Sequence, residues 1–314
     1  MNSFTKRLLT GAFILAVIAG AFALKILVSP LFMDALILFI SVMALIEVGR
    51  AITPKLSRPL YLIVFAHLAC SYALILIGRH TEWLVPGSRY STLLYTSIEL
   101  PSVFIVMLVS AFFFKAPPKT AEAAGETRIQ KGLPNIVSTA FLLFYPTLLL
   151  IFMLSLNNIA PVSGTGSGDL RSVFGMIILF AVSFGSDTFA YLIGMTFKGP
   201  KLCPNLSPKK TISGAVGGLL GGVIGAMIGF LLFKYLLAGV ADGKDIQIYH
   251  YIVMGVVGSV FTQCGDLAAS FIKRFCEIKD YSNVFPGHGG FMDRLDGLIF
   301  NSIFVYFYLM VILI

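Results

Sequence analysis

Carboxylates and basic side chains cluster near the C-terminal end of the chain, at spacings that suit phosphate chemistry. The segment KRFCEIKDYSNVFPGHGGFMDRLD, residues 273–296, carries eight charged residues in a chain that is only 12% charged. Asp293 and Asp296 are three residues apart, so on a helix they project from one side. With Asp266 opposing them, they would form an oxygen-only site for Mg²⁺, which binds a few carboxylates together with substrate phosphates. If the acids only complemented a helix dipole, the adjacent PGHGG turn and basic residues would have no explanation.

A second set of polar residues lies on one helical face just before this segment. Asp266, Ser270, Lys273 and Glu277 follow the spacing i, i+4, i+7, i+11 and therefore share that face. Ionisable groups inside an apolar helix are costly, which makes them functional candidates by default. The alternative is an Asp–Lys ion pair that only stabilises the helix end. Asp187, in SFGSDTFAYLIG, is a further carboxylate within an apolar stretch, and it serves either chemistry or helix association.

The segment GPKLCPNLSPKKTISG, residues 199–214, could bind phosphate. Lys209 and Lys210 stand beside Ser207 and Thr211 at the expected start of a helix, where ammonium groups, hydroxyls and free backbone N–H groups all favour anions. Lysines also accumulate in cytoplasmic loops of membrane proteins without any ligand, and this reading stays open. The GxxxxGK[ST] pattern does not accompany the lysines, so the segment is not a P-loop.

The composition places these residues in an all-α, polytopic integral membrane protein. Hydrophobic residues make up 57% of the 314 positions, and the mean hydropathy is +0.91, both outside the range of soluble domains. A helix needs roughly 20 apolar residues to cross a bilayer. Stretches of that kind predict nine spans, near residues 8–28, 31–47, 60–78, 91–114, 136–159, 173–197, 212–238, 248–271 and 297–314.

The basic residues predict how these helices are oriented. Most of the 23 lysines and arginines fall on one set of alternating helix ends, as the positive-inside rule requires if the N-terminus is cytoplasmic. This placement explains the net charge of +8, so no nucleic-acid partner is expected. Lys6 and Arg7 before an apolar run also resemble a signal peptide, but the run serves equally well as a first helix. The four cysteines form no close pair and are expected to be packing residues.

Polar chemistry divides the chain into two parts. Residues 1–135 are predicted to hold ordinary membrane helices and a flexible cytoplasmic linker at 115–134, and residues 136–314 to form the catalytic region. Glycines repeat every four residues from Gly217 to Gly229, which predicts a close helix-packing face. That face meets either another helix of the chain or a second subunit, so a homodimer is possible.

The segment SFIKRFCEIKDYSNVFPGHGGFMDRLD resembles the signature of the CDP-diacylglycerol synthases, also called phosphatidate cytidylyltransferases. SDTFAY around Asp187 and LSPKKT at 206–211 resemble further motifs of that family, although Phe189 replaces a usual glycine, and Ile212 and Ser213 replace a usual tryptophan and its acidic or amide neighbour. The residues that match the signature are Ser270, Lys273, Arg274, Lys279, Asp280, Pro286, His288, Gly289, Gly290, Asp293, Arg294 and Asp296.

The resemblance implies that CTP and phosphatidate give CDP-diacylglycerol and pyrophosphate, in phospholipid biosynthesis at a membrane. It implies Mg²⁺ held by Asp266, Asp293 and Asp296, with Asp187 and Lys210 completing the catalytic set. A bacterial inner membrane with a cytoplasmic active site fits the short loops. The implied substrate-binding residues are Ser207, Lys209, Lys210, Thr211, Lys273, Arg274, Lys279, His288 and Arg294.

Two other functions stay open at the level of sequence. A CTP-dependent polyprenol kinase, or a cytidylyltransferase acting on another lipid phosphate, would use the same metal and phosphate residues. An ion-coupled transporter would also need buried acids and lysines, but it predicts an internal repeat and polar groups at the midplane, neither of which the sequence shows. Asp34, Glu47 and Glu99 are three more acids within predicted spans, and the sequence assigns them no role beyond helix packing.

Overall fold

The structure is a computed structural model, and it describes residues 3–80, 91–112, 128–159, 170–236 and 246–313. Helices dominate the described chain, as the hydropathy predicts. The elements in chain order are α1 (Ser3–Leu27), α2 (Leu31–Ile52), α3 (Tyr61–His80), α4 (Ser91–Phe112), α5 (Arg128–Leu142), a wider helical turn (Leu143–Leu148), α6 (Leu149–Asn157), α7 (Leu170–Phe197), β1 (Lys201–Cys203), β2 (Ser207–Thr211), α8 (Ile212–Leu236), α9 (Ile248–Phe275) and α10 (Met292–Leu313).

The apolar helices confirm the all-α, multi-pass membrane class. Within the described residues, seven helices are long and apolar enough to span a bilayer, and Tyr61–Ile77 and Thr96–Met107 are shorter apolar stretches. The count of nine spans and the cytoplasmic N-terminus stay predictions. The division into two regions at residue 135 is likewise a prediction.

The linker predicted over 115–134 is wrong in its second half, because α5 begins at Arg128. Residues 113–127 lie outside the described part of the chain. The apolar span that follows begins at Leu133, inside the segment that was predicted to be linker.

The glycine rows of α8 confirm the predicted packing face and show that it lies within the chain. A Cβ atom added at Gly225 would overlap the backbone of Ala181 in α7, and one added at Gly217 would lie 2.6 Å from Cβ of Ile193. On the other side of α8, a Cβ at Gly222 would meet the side chain of Ser259 in α9. Because packing replaces the hydrophobic effect between helices in lipid, backbone contact of this kind holds α7, α8 and α9 as one block.

The lysine-rich segment before α8 is a short hairpin rather than the loop expected from the sequence. Strands β1 and β2 pair antiparallel, with Lys201 opposite Thr211 and Cys203 opposite Ser207. A turn at 204–206 that contains Pro204 joins them, as proline favours. The hairpin connects α7 to α8, so it fixes its lysines at the end of the packed block.

The C-terminal helix completes the arrangement around the candidate site. Helix α10 packs against α9, α6 and α7, and it also contacts α2. It begins at Met292, so Asp293 and Asp296 lie in its first turns, and the PGHGG turn leads directly into it. The site is therefore assembled from α2, α7, α9, α10 and the hairpin.

Candidate active site

Asp293 organises the loop between α9 and α10. Its Oδ2 accepts hydrogen bonds from the backbone N–H groups of Tyr281 (2.8 Å) and Gly290 (3.0 Å), and its Oδ1 lies 2.8 Å from Lys273 Nζ. Only 1% of its side chain is exposed. Burial raises the pKa of the Tyr281 hydroxyl, so that neighbour stays neutral. Asp293 therefore joins the two ends of the loop through Oδ2 and pairs with Lys273 through Oδ1.

Glu47 of α2 holds the same loop from the opposite side. Its Oε1 accepts from Ser282 Oγ (2.5 Å) and from the backbone N–H of Phe291 (3.0 Å), and its Oε2 accepts from the N–H of Met292 (2.9 Å). The residue is buried, with 4% of its surface exposed. These backbone donors belong to the unsatisfied first turn of α10, where a carboxylate is also favoured by the helix dipole. Glu47 therefore fixes where α10 starts.

The glycines of the PGHGG turn are required by these two carboxylates. Gly289 has φ +80°, a conformation that favours glycine, and a Cβ there would lie 2.8 Å from Oδ2 of Asp293. A Cβ at Gly290 would lie 2.5 Å from both carboxylate oxygens of Glu47. Glycine is therefore needed at both positions, because the turn backbone passes too close to the two carboxylates for a side chain to fit.

Three other carboxylates meet where α7, α9 and α10 converge. Asp296 is close enough to Asp187 and Asp266 to interact with both electrostatically. Its Oδ1 accepts from the N–H of Gly297 at 2.9 Å, and its Oδ2 is 4.0 Å from Lys273 Nζ. The predicted association of Asp266 with the acids of α10 is therefore present for Asp296.

Lys210 brings the hairpin to this carboxylate group. Its Nζ lies 2.5 Å from Oδ2 of Asp266, with about a quarter of the lysine side chain and a third of the aspartate side chain exposed. Lys210 also interacts electrostatically with Asp187. The ion pair predicted as an alternative within α9, between Asp266 and Lys273, is not what forms, because each residue pairs with a different element. Asp266 pairs with β2, and Lys273 pairs with α10.

The remaining hairpin residues divide between the site and the scaffold. Lys209 is exposed and Ser207 is half-buried, both on the strand that carries Lys210. The Thr211 hydroxyl is buried, where it accepts from the N–H of Gly214 at 3.1 Å and so caps the start of α8. Its predicted role as a substrate ligand stays a prediction. In the structure the hydroxyl caps the N-terminal end of α8.

The other predicted basic ligands lie around the mouth of the site. Arg294 is exposed and interacts electrostatically with Asp187. Arg274 Nε lies 3.5 Å from the backbone oxygen of Leu206 in the hairpin, which ties the end of α9 to the turn. Lys279 is exposed on the loop.

A cavity of about 580 Å³ runs from these residues into the membrane region. Residues of α1, α2 and α7 form its walls, and most of them are apolar. Ile18, Ile37 and Phe184 are examples from each helix. Polar residues occur at one end of the cavity, where α7 and α10 approach each other. They are Asp187, Thr188, His288, Asp293, Arg294 and Asp296.

Comparison with known proteins places this arrangement in a family. The model of the cytidylyltransferase family matches residues 5–312, which is nearly the whole chain. The chain belongs to the cytidylyltransferase family. This assignment confirms the resemblance noted in the signature segment, and it extends it to the N-terminal helices.

Curated members of the cytidylyltransferase family include relatives of moderate identity. A phosphatidate cytidylyltransferase of Aquifex aeolicus (strain VF5) is 34% identical over 177 residues, 54% of this chain and 56% of that protein. One of Rickettsia typhi is 34% identical over 127 residues, 40% of this chain and 54% of that protein. One of Brucella abortus biovar 1 is 38% identical over 133 residues, 42% and 46% of the two chains. The chain spans about half the length of the curated relatives it matches.

The donor set of this chain suits a hard divalent cation, although no three acidic, histidine or cysteine side chains in the described ranges are already gathered at coordination distance. Asp187, Asp266 and Asp296 are oxygen donors near enough to interact electrostatically, and oxygen donors are what Mg²⁺ prefers. Counting Asp293, four carboxylates stand against three cations, Lys210, Lys273 and Arg294, and Lys273 is largely committed to Asp293. A cation and substrate phosphates therefore fit the charge balance of the site.

Proposed function

We propose that the protein catalyses the formation of CDP-diacylglycerol and pyrophosphate from CTP and phosphatidate. The observation that carries this proposal is the cavity, whose walls are mostly apolar and one end of which is polar and charged. A lipid phosphate has the same division between an apolar tail and an anionic head. The names of the curated relatives support the same substrate.

The lipid substrate fits the cavity by its two parts. An acyl chain would lie between α1, α2 and α7, where most lining atoms are apolar. Apolar walls suit an acyl chain, because they shield its hydrocarbon from polar surroundings. Its phosphate would then reach Arg294 and His288 at the polar end. Arginine binds phosphate oxygens through two parallel N–H donors, so Arg294 is the better placed residue to orient the nucleophile.

The nucleotide would enter from the side of the hairpin. Lys210 already lies beside Asp266 and Asp187, and Lys209 and Ser207 stand on the same exposed strand. Lysine supplies a mobile positive charge to a polyphosphate. We assign Lys209 and Lys210 to the CTP phosphates, and Ser207 to a hydrogen bond with one of them.

The residues that the site provides suit an in-line transfer between two phosphates. An oxygen of the lipid phosphate attacks the α-phosphorus of CTP, a new P–O bond forms, and the bond to the β-phosphate oxygen breaks to release pyrophosphate. The attacking oxygen is already anionic, so no general base is required. The work of the protein is to align two polyanions and to neutralise their charge, and fixed lysines and arginines do both.

Mg²⁺ is assigned to Asp266 and Asp296, with Asp187 as the third carboxylate. When bound, the ion would neutralise phosphate charge and stabilise the leaving oxygen. Asp293 was also predicted as a ligand; its Oδ2 accepts from two loop N–H groups, and its Oδ1 has one partner, Lys273. We therefore propose that Asp293 holds the loop, that its part in metal binding stays a prediction, and that Asp187 is a further ligand.

The decisive experiment measures pyrophosphate release by the purified protein in mixed micelles with CTP and Mg²⁺. Release should depend on phosphatidate and should fall at least 100-fold in Asp266→Asn, a variant that keeps the shape of the side chain. Release of CDP in place of pyrophosphate would indicate a lipid kinase instead. Absence of any nucleotide turnover in a folded protein would contradict the proposal.

The membrane class of the protein is a finding, and its location is part of the proposal. We place it in a bacterial inner membrane, with the hairpin and the loop after α9 on the cytoplasmic side, because CTP is cytoplasmic and the basic helix ends lie there.

A further inference from the structure

A second cavity lies at the junction of α2 and α3, away from the candidate active site. Its volume is about 470 Å³, and it shares no lining residue with the larger cavity. It opens where the apolar span of α2 ends, at Ile52. Its lining residues are Ile46, Arg50, Thr53, Pro54, Arg58, Tyr61 and Phe65, and this set is called the arginine pocket below.

The two arginines of the pocket have no counter-charge in the described part of the chain. No carboxylate lines the pocket, and neither Arg50 nor Arg58 has an ion pair or hydrogen bond with another described residue. Lys55, between them in sequence, shows the contrast, because it pairs with Glu277 at 2.5 Å. The positive-inside rule accounts for arginines at this membrane face, but it does not account for two of them lining one concavity without an acid.

The rest of the lining is apolar and aromatic. The rings of Tyr61 and Phe65 are stacked, with centroids 6.1 Å apart and planes 21° apart, and Ile46 also lines the pocket. The Thr53 hydroxyl is taken by the backbone oxygen of Gly49 at 2.6 Å. The free polar groups of the pocket are therefore the two guanidinium groups and the Tyr61 hydroxyl, all hydrogen-bond donors, beside a wall able to contact hydrocarbon.

We propose that the arginine pocket binds the phosphate of an anionic phospholipid, with the guanidinium groups of Arg50 and Arg58 on the phosphate and the aromatic pair against the upper part of the chains. Basic pockets between helices at the cytoplasmic face suit such head groups. Arginine favours them because its planar fork matches phosphate oxygens.

The position of the pocket connects an occupant to the active site through one helix. Arg50 lies one turn after Glu47 on α2, and Glu47 holds the loop that leads into α10. A lipid bound at Arg50 would therefore contact the helix that positions the catalytic loop. The lipid bound there is separate from the one in the larger cavity, since the two linings are disjoint.

Quenching of a single fluorophore tests the proposal. Phe65→Trp, in a Trp83→Phe background, places the only tryptophan in the pocket. In micelles of neutral detergent, brominated phosphatidylglycerol should quench it at lower mole fraction than brominated phosphatidylcholine. Combining Arg50→Gln with Arg58→Gln should weaken the preference for phosphatidylglycerol by about thirtyfold, from the usual gain per arginine near an anionic lipid.

A matched pair of charge deletions provides the control. Lys198→Gln with Lys201→Gln removes the same charge from exposed residues on the same predicted membrane face, outside the pocket lining, and it should leave the preference within about twofold of the parent. An equal loss from both pairs would show diffuse surface attraction and overturn the proposal. So would an unchanged preference in the arginine pair. If millimolar inorganic phosphate abolished the preference, the ligand would be a soluble phosphate and the lipid assignment would be wrong. The assay needs no turnover, so its outcome is independent of the proposed reaction.

Discussion

Glu47→Gln tests whether a carboxylate on α2 positions the catalytic loop. Glutamine has nearly the shape of glutamate, but it carries one acceptor oxygen and one NH₂ group. Either Phe291 N–H or Met292 N–H, now 3.0 and 2.9 Å from carboxylate oxygens, would then face another donor. The fold of α2 and the volume of the side chain stay the same, so the change acts on the loop alone.

The expected fall in kcat follows from the energies of those contacts. A hydrogen bond to a charged group is worth about 1.5–3 kcal/mol, and a negative charge at a helix start adds about 0.3–1 kcal/mol. The ordered loop should therefore lose about 2–4 kcal/mol. Because catalysis requires the loop in that state, we expect kcat to fall at least tenfold, with an upper limit of several hundredfold that is reached if the loop is only just stable. The KM for CTP should change less, since the hairpin lysines do not contact Glu47.

The assay is steady-state pyrophosphate release, with thermal unfolding measured on the same sample. Glu99→Gln is the matched control, because Glu99 is also a buried glutamate in an apolar helix, where it accepts from Ser71 Oγ at 2.8 Å far from the loop. It should lower the melting temperature without lowering kcat more than about twofold. Wild-type kcat in Glu47→Gln, or an equal fall in Glu99→Gln, would refute the positioning role.

Two further predictions concern the turn and the cavity. Gly290→Ala should reduce kcat at least tenfold, because its Cβ would lie 2.5 Å from the Glu47 carboxylate. Gly20→Ala, where a Cβ would have no neighbour within 4 Å, should leave kcat unchanged in the same assay. Equal activity in the two variants would contradict this prediction. Ile18→Trp should narrow the larger cavity and raise the KM for phosphatidate several-fold, without changing the KM for CTP. Ile26→Trp, on the same helix but outside the cavity lining, should change neither KM. A rise in the KM for both substrates would show that the substitution disturbs the site as a whole.

Local patterns predicted much of the site. The helical class follows from hydropathy, and the glycine spacing on α8 correctly indicated close packing, because both are properties of a single stretch of chain. The grouping of Asp266 with the acids of α10 was also predicted in part, since Asp296 approaches Asp266 and Asp187. Family resemblance pointed to Asp187 and Lys210, and the structure brings both beside Asp266.

Contacts between distant segments could not be predicted in this way. Glu47 lies 244 residues from Phe291, and no local spacing reveals that its oxygens cap α10. The sequence offered one indication, an acidic residue inside an apolar span, where ionisable groups are energetically costly. It did not indicate which residues that acid contacts. Asp34 and Glu99 gave the same signal, and the structure supplies partners for them too. Asp34 accepts hydrogen bonds from Asn157 and Asn158, and Glu99 accepts one from Ser71.

The loop contacts of Asp293 could not be predicted for a related reason. Its spacing from Asp296 correctly places both on the first turns of α10, but spacing on a helix does not show what each side chain contacts. The preceding loop folds back so that Tyr281 N–H and Gly290 N–H both point at Asp293. Loop backbone conformation decides these contacts, and it is the feature that sequence patterns describe least well.

The way α1 is attached has a consequence for how lipids exchange. Among its described residues only Ala21 and Lys25 are buried, and Lys25 is bound to Asn157 and to Ser172 Oγ, the latter at 2.8 Å. Towards the other end, Thr10 Oγ1 lies 3.4 Å from the backbone oxygen of Pro286, so the helix is held at two points, and the length between them forms a thin side of the larger cavity. The opposite side belongs to the block of α7, α8 and α9, in which backbones touch and have no room to slide. Because this part of α1 has few buried residues, its local displacement costs little free energy. Under the proposed function, a two-chain product would therefore leave by displacing the part of α1 between Thr10 and Lys25, while the block of α7, α8 and α9 stays in place.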